Sequence, residues 1–190
     1  MKSSRLESFT DGVLAIIITL MVLELDTPKD ASLEALTDQW NSLLSFLLSF
    51  IYIGIYWNNH HHLMHAVEKI SGKVLWANLH LLLWISMIPF ATRWMGQSFF
   101  QTVPVAIYGS VLFMASVAWF LLITTLKRYH QAESHFTKAQ KSDKKEWISI
   151  ILYCIGIAFT FIKPYVGIII YLSVAAFWFI PDRRIENQLK

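Results

Sequence analysis

The sequence predicts an all-α integral membrane protein with six transmembrane helices and both termini in the cytoplasm. Three observations predict it. Of the 190 residues, 55% are hydrophobic and only 15% charged, with a mean hydropathy of +0.47; a soluble domain carries about 25% charged residues. Six stretches approach the roughly 20 apolar residues that one membrane crossing needs: about 8–25, 40–62, 74–95, 104–126, 146–162 and 165–180, forming a single domain over 1–190. Thirdly, the basic residues gather on alternate connections. With both termini inside, 13 of the 16 Lys and Arg fall on the cytoplasmic side, leaving Lys29, Arg93 and Lys163 outside. That bias sets the orientation.

The first helix opens with a polar run, Arg5, Glu7, Ser8, Thr10 and Asp11, and is then apolar from Val13 to Leu23 except for Thr19. Lys2 and Arg5 before an apolar run look like the head of a signal peptide. Asp11 interrupts that pattern, and Glu24, Asp26 and Pro28 follow with no small-residue cleavage site, so the stretch reads as a retained span. The loop behind it is acidic, with Glu24, Asp26, Asp30, Glu34 and Asp38 against Lys29. Ala31 to Leu36 predicts a short surface helix with Asp30 as its cap.

The second helix runs into W-N-N-H-H-H-L-M-H, with a turn at Lys69 to Lys73 behind it. The third carries Asn78 and His80 near its start and Pro89 within it. Phe99 and Phe100 lie in the next loop, at the membrane interface. The longest polar segment, Lys127 to Lys145, precedes the fifth helix. Lys163 and Pro164 make a tight hairpin to the sixth, and a charged tail runs from Pro181 to Lys190.

A carboxylate facing hydrocarbon costs roughly 2.5–3.5 kcal/mol, so Asp11 is expected to face protein, water or a cation. At about 100° per residue, Ile16, Leu20 and Leu23 share one helix face with Thr19 beside them. Such a stripe suits lipid or core packing, and it also suits the lining of a narrow pore. The segment before it favours the second reading. Arg5, Phe9, Thr10, Asp11 and Gly12, spaced R-x-x-x-F-T-D-G, resemble the R-x-x-x-F-S-D-G signature of the transmembrane protein 175 family of potassium channels. Thr10 keeps the hydroxyl of the family's Ser, and the motif opens the first membrane helix, its place in the family.

The resemblance spans nearly the whole chain and implies a homotetramer with the first helix of each copy lining a central pore. Ile16, Leu20 and Leu23 would then form apolar rings, with Thr19 hydroxyls between them. There is no T-V-G-Y-G to supply a carbonyl filter. An apolar ring replaces none of the lost hydration, so weakly hydrated K⁺ passes more readily than Na⁺, and a ring this narrow also closes by dewetting. The resemblance implies that Arg5 and Asp11 position the pore helix within a buried polar network, with Trp76 and His80 as expected partners. Glu24 and Asp26 would form an acidic vestibule at the outer mouth. The implied partners are further copies of the chain, the bilayer and K⁺. The single six-helix repeat points to a prokaryotic plasma membrane.

Other chemistries find little support. His60, His61, His62 and His65 include an i,i+4 pair that suits a metal, but three adjacent histidines diverge on a helix. A polar network to Arg5, Asp11 or His80, with Asn58 or Asn59 taking part, is the preferred reading, and no metal or cofactor is expected. Haem ligation by His61 or His80 has no second supporting feature. No nucleophile motif or phosphate-cradling glycine loop is present, so no enzyme is expected. The net charge of +3 is divided among loops, which argues against nucleic-acid binding. The single cysteine, Cys154, excludes an intrachain disulfide and reads as a packing residue. The rival reading is a secondary transporter or proton-coupled carrier, but such proteins place ionisable groups at mid-membrane, and here they cluster at helix ends.

Overall fold

The computed structural model describes residues 2–67, 69–130 and 143–179. Within them run eight α-helices: α1 (Ser3–Leu23), α2 (Leu33–Thr37), α3 (Trp40–His65), α4 (Gly72–Ser86), α5 (Ile88–Gln97), α6 (Thr102–Tyr129), α7 (Lys144–Thr160) and α8 (Pro164–Phe179). Most of the expected polar segment between Lys127 and Lys145, and the tail from Pro181, lie outside the described residues.

Among the described residues, four stretches are long and apolar enough to cross a membrane: Ser3–Leu23, Trp40–His65, Gly72–Gln97 and Thr102–Tyr129. The chain is therefore a multi-pass membrane protein in its make-up. α7 and α8 have 17 and 16 residues. At 1.5 Å per residue, 16 residues reach about 24 Å, against a hydrocarbon core of about 30 Å.

α6 is the hub. It packs against α4, α5, α7 and α8, and Val105, Tyr108, Leu112, Ala115 and Leu122 on it are wholly buried. Small residues allow the close approach. A Cβ on Gly109 would lie 2.0 Å from the Tyr171 hydroxyl, and one on Gly156 would lie 2.6 Å from the Tyr171 ring. Both glycines thus cradle one α8 tyrosine. Buried hydroxyls satisfy one another, as hydrocarbon requires: Ser49 Oγ lies 2.6 Å from Thr92 Oγ1 and 3.0 Å from the Tyr108 hydroxyl, while the Tyr52 hydroxyl donates to the Tyr171 carbonyl.

Several sequence-based expectations change. α1 begins at Ser3, not near residue 8, so Arg5 and Glu7 are helical. The expected third helix is broken at Met87 into α4 and α5, because Pro89 has no N–H to give to the carbonyl one turn earlier. The short surface helix is capped by Ser32, whose hydroxyl accepts from the Ala35 N–H at 3.1 Å; Asp30 instead accepts from the Ser32 N–H. Its carboxyl is held below the usual range by Ser32 hydrogen bonds. Cys154 is exposed, not packed inside. Phe99 and Phe100 have φ of 49° and 55°, a left-handed pair that bulky residues rarely adopt. They end α5, and the Phe100 N–H reaches back to the Met95 carbonyl.

Candidate functional site

α1 lies at the edge of the bundle against α3, α4 and α5. Its helical phase gives it two opposite characters. Leu6, Thr10, Leu14, Ile17 and Met21 recur at spacings of four and three and are all buried. Arg5, Phe9, Gly12, Ile16, Thr19, Leu20 and Leu23 fall in a sector roughly 100° wide on the other side, and all are exposed. Ile16, Leu20 and Leu23 are 60%, 47% and 79% exposed. Thr19 Oγ1 donates to the Ile16 carbonyl at 2.8 Å, which leaves its lone pairs free. The signature residues Arg5, Phe9 and Gly12 therefore share a face with the apolar stripe.

The buried face carries a polar anchor. Asn78 on α4 donates from Nδ2 to Thr10 Oγ1 at 2.9 Å, and its Oδ1 lies 2.9 Å from His60 Nε2 on α3. All three residues are almost completely buried. With Asn78 Oδ1 as acceptor, His60 carries its proton on Nε2. Asp11 Oδ1 is buried and has no hydrogen-bond partner among the described residues.

Within a single chain the buried contacts differ from the expected network. Thr10 joins it, but Arg5 is exposed and Trp76 is 75% exposed. His80 accepts from Trp84 Nε1 within α4 at 3.0 Å instead of reaching α1. The reason is phase: Asn78 and His80 stand about 200° apart on α4, so only one can face α1. The Asn58/Asn59 option also fails for Asn59, which donates to the Ile55 carbonyl of its own helix.

A second junction lies one turn nearer the N-terminus. Glu7 Oε1 sits 2.7 Å from His61 Nδ1 and 3.4 Å from His65 Nε2. Sequence reasoning passed over Glu7, although it is an ionisable group at the head of an apolar helix. At the opposite end of α1, Arg93 pairs with Glu24 and lies 3.8 Å from Asp26, whose other oxygen accepts from Gln97 at 2.8 Å. The expected acidic vestibule is therefore partly neutralised by α5.

The chain is similar to known proteins in sequence and in fold. The sequence model of the family described as "Endosomal/lysosomal potassium channel TMEM175" matches residues 5–89, from the signature Arg5 to Pro89. A potassium channel of Chryseobacterium sp. (strain P1-3) is 50% identical over 190 residues, covering 100% of this chain and 99% of that protein. The chain belongs to the TMEM175 family. A potassium channel of Chamaesiphon minutus is 28% identical over 184 residues, 88% of either chain. The crystal structure of a lysosomal potassium-selective channel TMEM175 homolog from the same organism superposes with a TM-score of 0.80 at 26% identity, covering 93% of this chain and 95% of that one. Family members of this kind are channels, in line with a non-enzymatic reading.

Proposed function

We propose that this chain forms a potassium-selective leak channel in which α1 of each of four copies lines a central pore. The observation that carries the proposal is the two-faced α1. One face is bolted into the bundle through Thr10, while Arg5, Phe9, Gly12 and the Ile16–Leu20–Leu23 stripe are left uncovered. Full-length similarity to bacterial potassium channels supports it.

In this reading Ile16, Leu20 and Leu23 form three apolar rings and Thr19 supplies hydroxyl oxygens between them. Selectivity arises from dehydration, and discrimination of about 1–3 kcal/mol is expected for a single feature of this kind. Arg5, Phe9 and Trp76, exposed in one chain, would meet a neighbouring copy, and Asp11 would complete its hydrogen bonding in the assembly. Glu24 and Asp26 would stand at the outer mouth. α7 and α8 would complete six spans, with both termini cytoplasmic, in a prokaryotic plasma membrane. No cofactor takes part; K⁺ is the permeant ion. The carrier alternative gains nothing from the helix-end placement of Glu7, Glu24 and Arg93.

Purified protein in planar bilayers is expected to show discrete single-channel K⁺ currents, which a carrier turns over too slowly to produce. A density map of the assembly is expected to show four α1 helices around a continuous axis. Currents without steps, or α1 turned outward to lipid, would overturn the proposal.

A further inference from the structure

Two imidazoles from one helix and a carboxylate from another converge on a single point. One ligand atom from each of Glu7, His61 and His65 lies within 4.8 Å of the other two. A hydrogen bond to Glu7 needs only one ring nitrogen, and His61 supplies it at 2.7 Å. His65 nevertheless turns its own Nε2 toward the same oxygen, 3.4 Å away. The His61 and His65 ring centroids are 4.3 Å apart, as one helical turn between i and i+4 allows.

We propose that Glu7, His61 and His65 bind a divalent transition-metal ion, Zn²⁺ or a close analogue, bridging α1 and α3. The donor set decides the class of ion. Two imidazole nitrogens and one carboxylate oxygen suit Zn²⁺, whereas Mg²⁺ and Ca²⁺ require oxygen shells. Metal–ligand distances of about 2.0–2.2 Å place tetrahedral ligand atoms about 3.3–3.6 Å apart. The Glu7–His65 separation of 3.4 Å already meets that, and the Glu7–His61 pair at 2.7 Å needs to open by about 0.6–0.9 Å. The Glu7 side chain is 15% exposed, beneath histidines that are 41% and 50% exposed, so an ion enters from solvent past the rings. Water would fill the remaining coordination position. The proposal does not depend on α1 lining a pore.

The test uses tag-free full-length protein, stripped with a chelator and titrated with Zn²⁺ by calorimetry and elemental analysis. One ion per chain and a raised unfolding temperature are expected, because a ligand that binds only the folded state stabilises it. Glu7→Gln and His65→Ala are each expected to weaken binding by at least about tenfold, the scale already seen for outer-shell changes. His62→Ala, one position from His61, should leave it unchanged. His65 is half exposed, so its variant keeps the fold. No Zn²⁺ uptake, uptake that survives His61→Ala/His65→Ala, or equal loss in His62→Ala would each overturn the site.

Discussion

Asn78 Nδ2 donates to Thr10 Oγ1 at 2.9 Å, and this bond ties the helix that bears the signature to α4, which begins the third span. Both groups are buried, so neither can turn to water when the other is lost. Thr10→Val keeps the shape and leaves the Asn78 amide unpaired, at an expected cost of about 1–3 kcal/mol. Thr10→Ser restores the hydroxyl and should retain the fold. Thermal unfolding of the two variants, followed by size-exclusion chromatography, checks the difference. Equal stability would mean that the bond is not structural.

The glycine cradle around Tyr171 gives a second expectation. Gly109→Ala drives a methyl into the Tyr171 hydroxyl, and overpacking of this kind costs about 1–3 kcal/mol. Adding Tyr171→Phe removes the obstructing oxygen and should recover part of the loss. A double variant less stable than the sum of the single changes would contradict this.

The charges at the far end of α1 should act on conduction more than on folding. Arg93 and Glu24 are both substantially exposed, and exposed pairs contribute only about 0–1 kcal/mol. Glu24→Gln removes negative charge and is expected to lower K⁺ conductance at low salt. Arg93→Ala unmasks negative charge and should raise it. Both effects should vanish near 1 M salt, where the Debye length falls to about 3 Å. Conductance measured against salt concentration distinguishes the two signs.

The parts of this fold that were legible in the sequence are those that periodicity and hydropathy encode. The α1 stripe, the acidic loop and the long apolar runs came directly from residue spacing. The partner of Thr10 did not, although Asn78 was visible as a lone amide in V-L-W-A-N-L-H. Both faces of α4 are apolar, and nothing local says which one meets α1. Cys154 was misplaced for a related reason: lipid-facing and core-facing positions are equally apolar in a membrane protein. Pro89 was visible, but whether it bends a helix or divides it depends on packing. Glu7 was passed over because its histidine partners stand 54 residues or more away in the chain.

The selective role of the α1 stripe is tested most directly by the reversal potential of Ile16→Asn and Leu23→Ala channels in planar bilayers with K⁺ on one side and Na⁺ on the other. A polar or enlarged ring lowers the dehydration penalty that disfavours Na⁺, so both variants are expected to shift the reversal potential toward zero relative to the unaltered channel. A reversal potential unchanged in both variants would contradict the account and place the filter elsewhere.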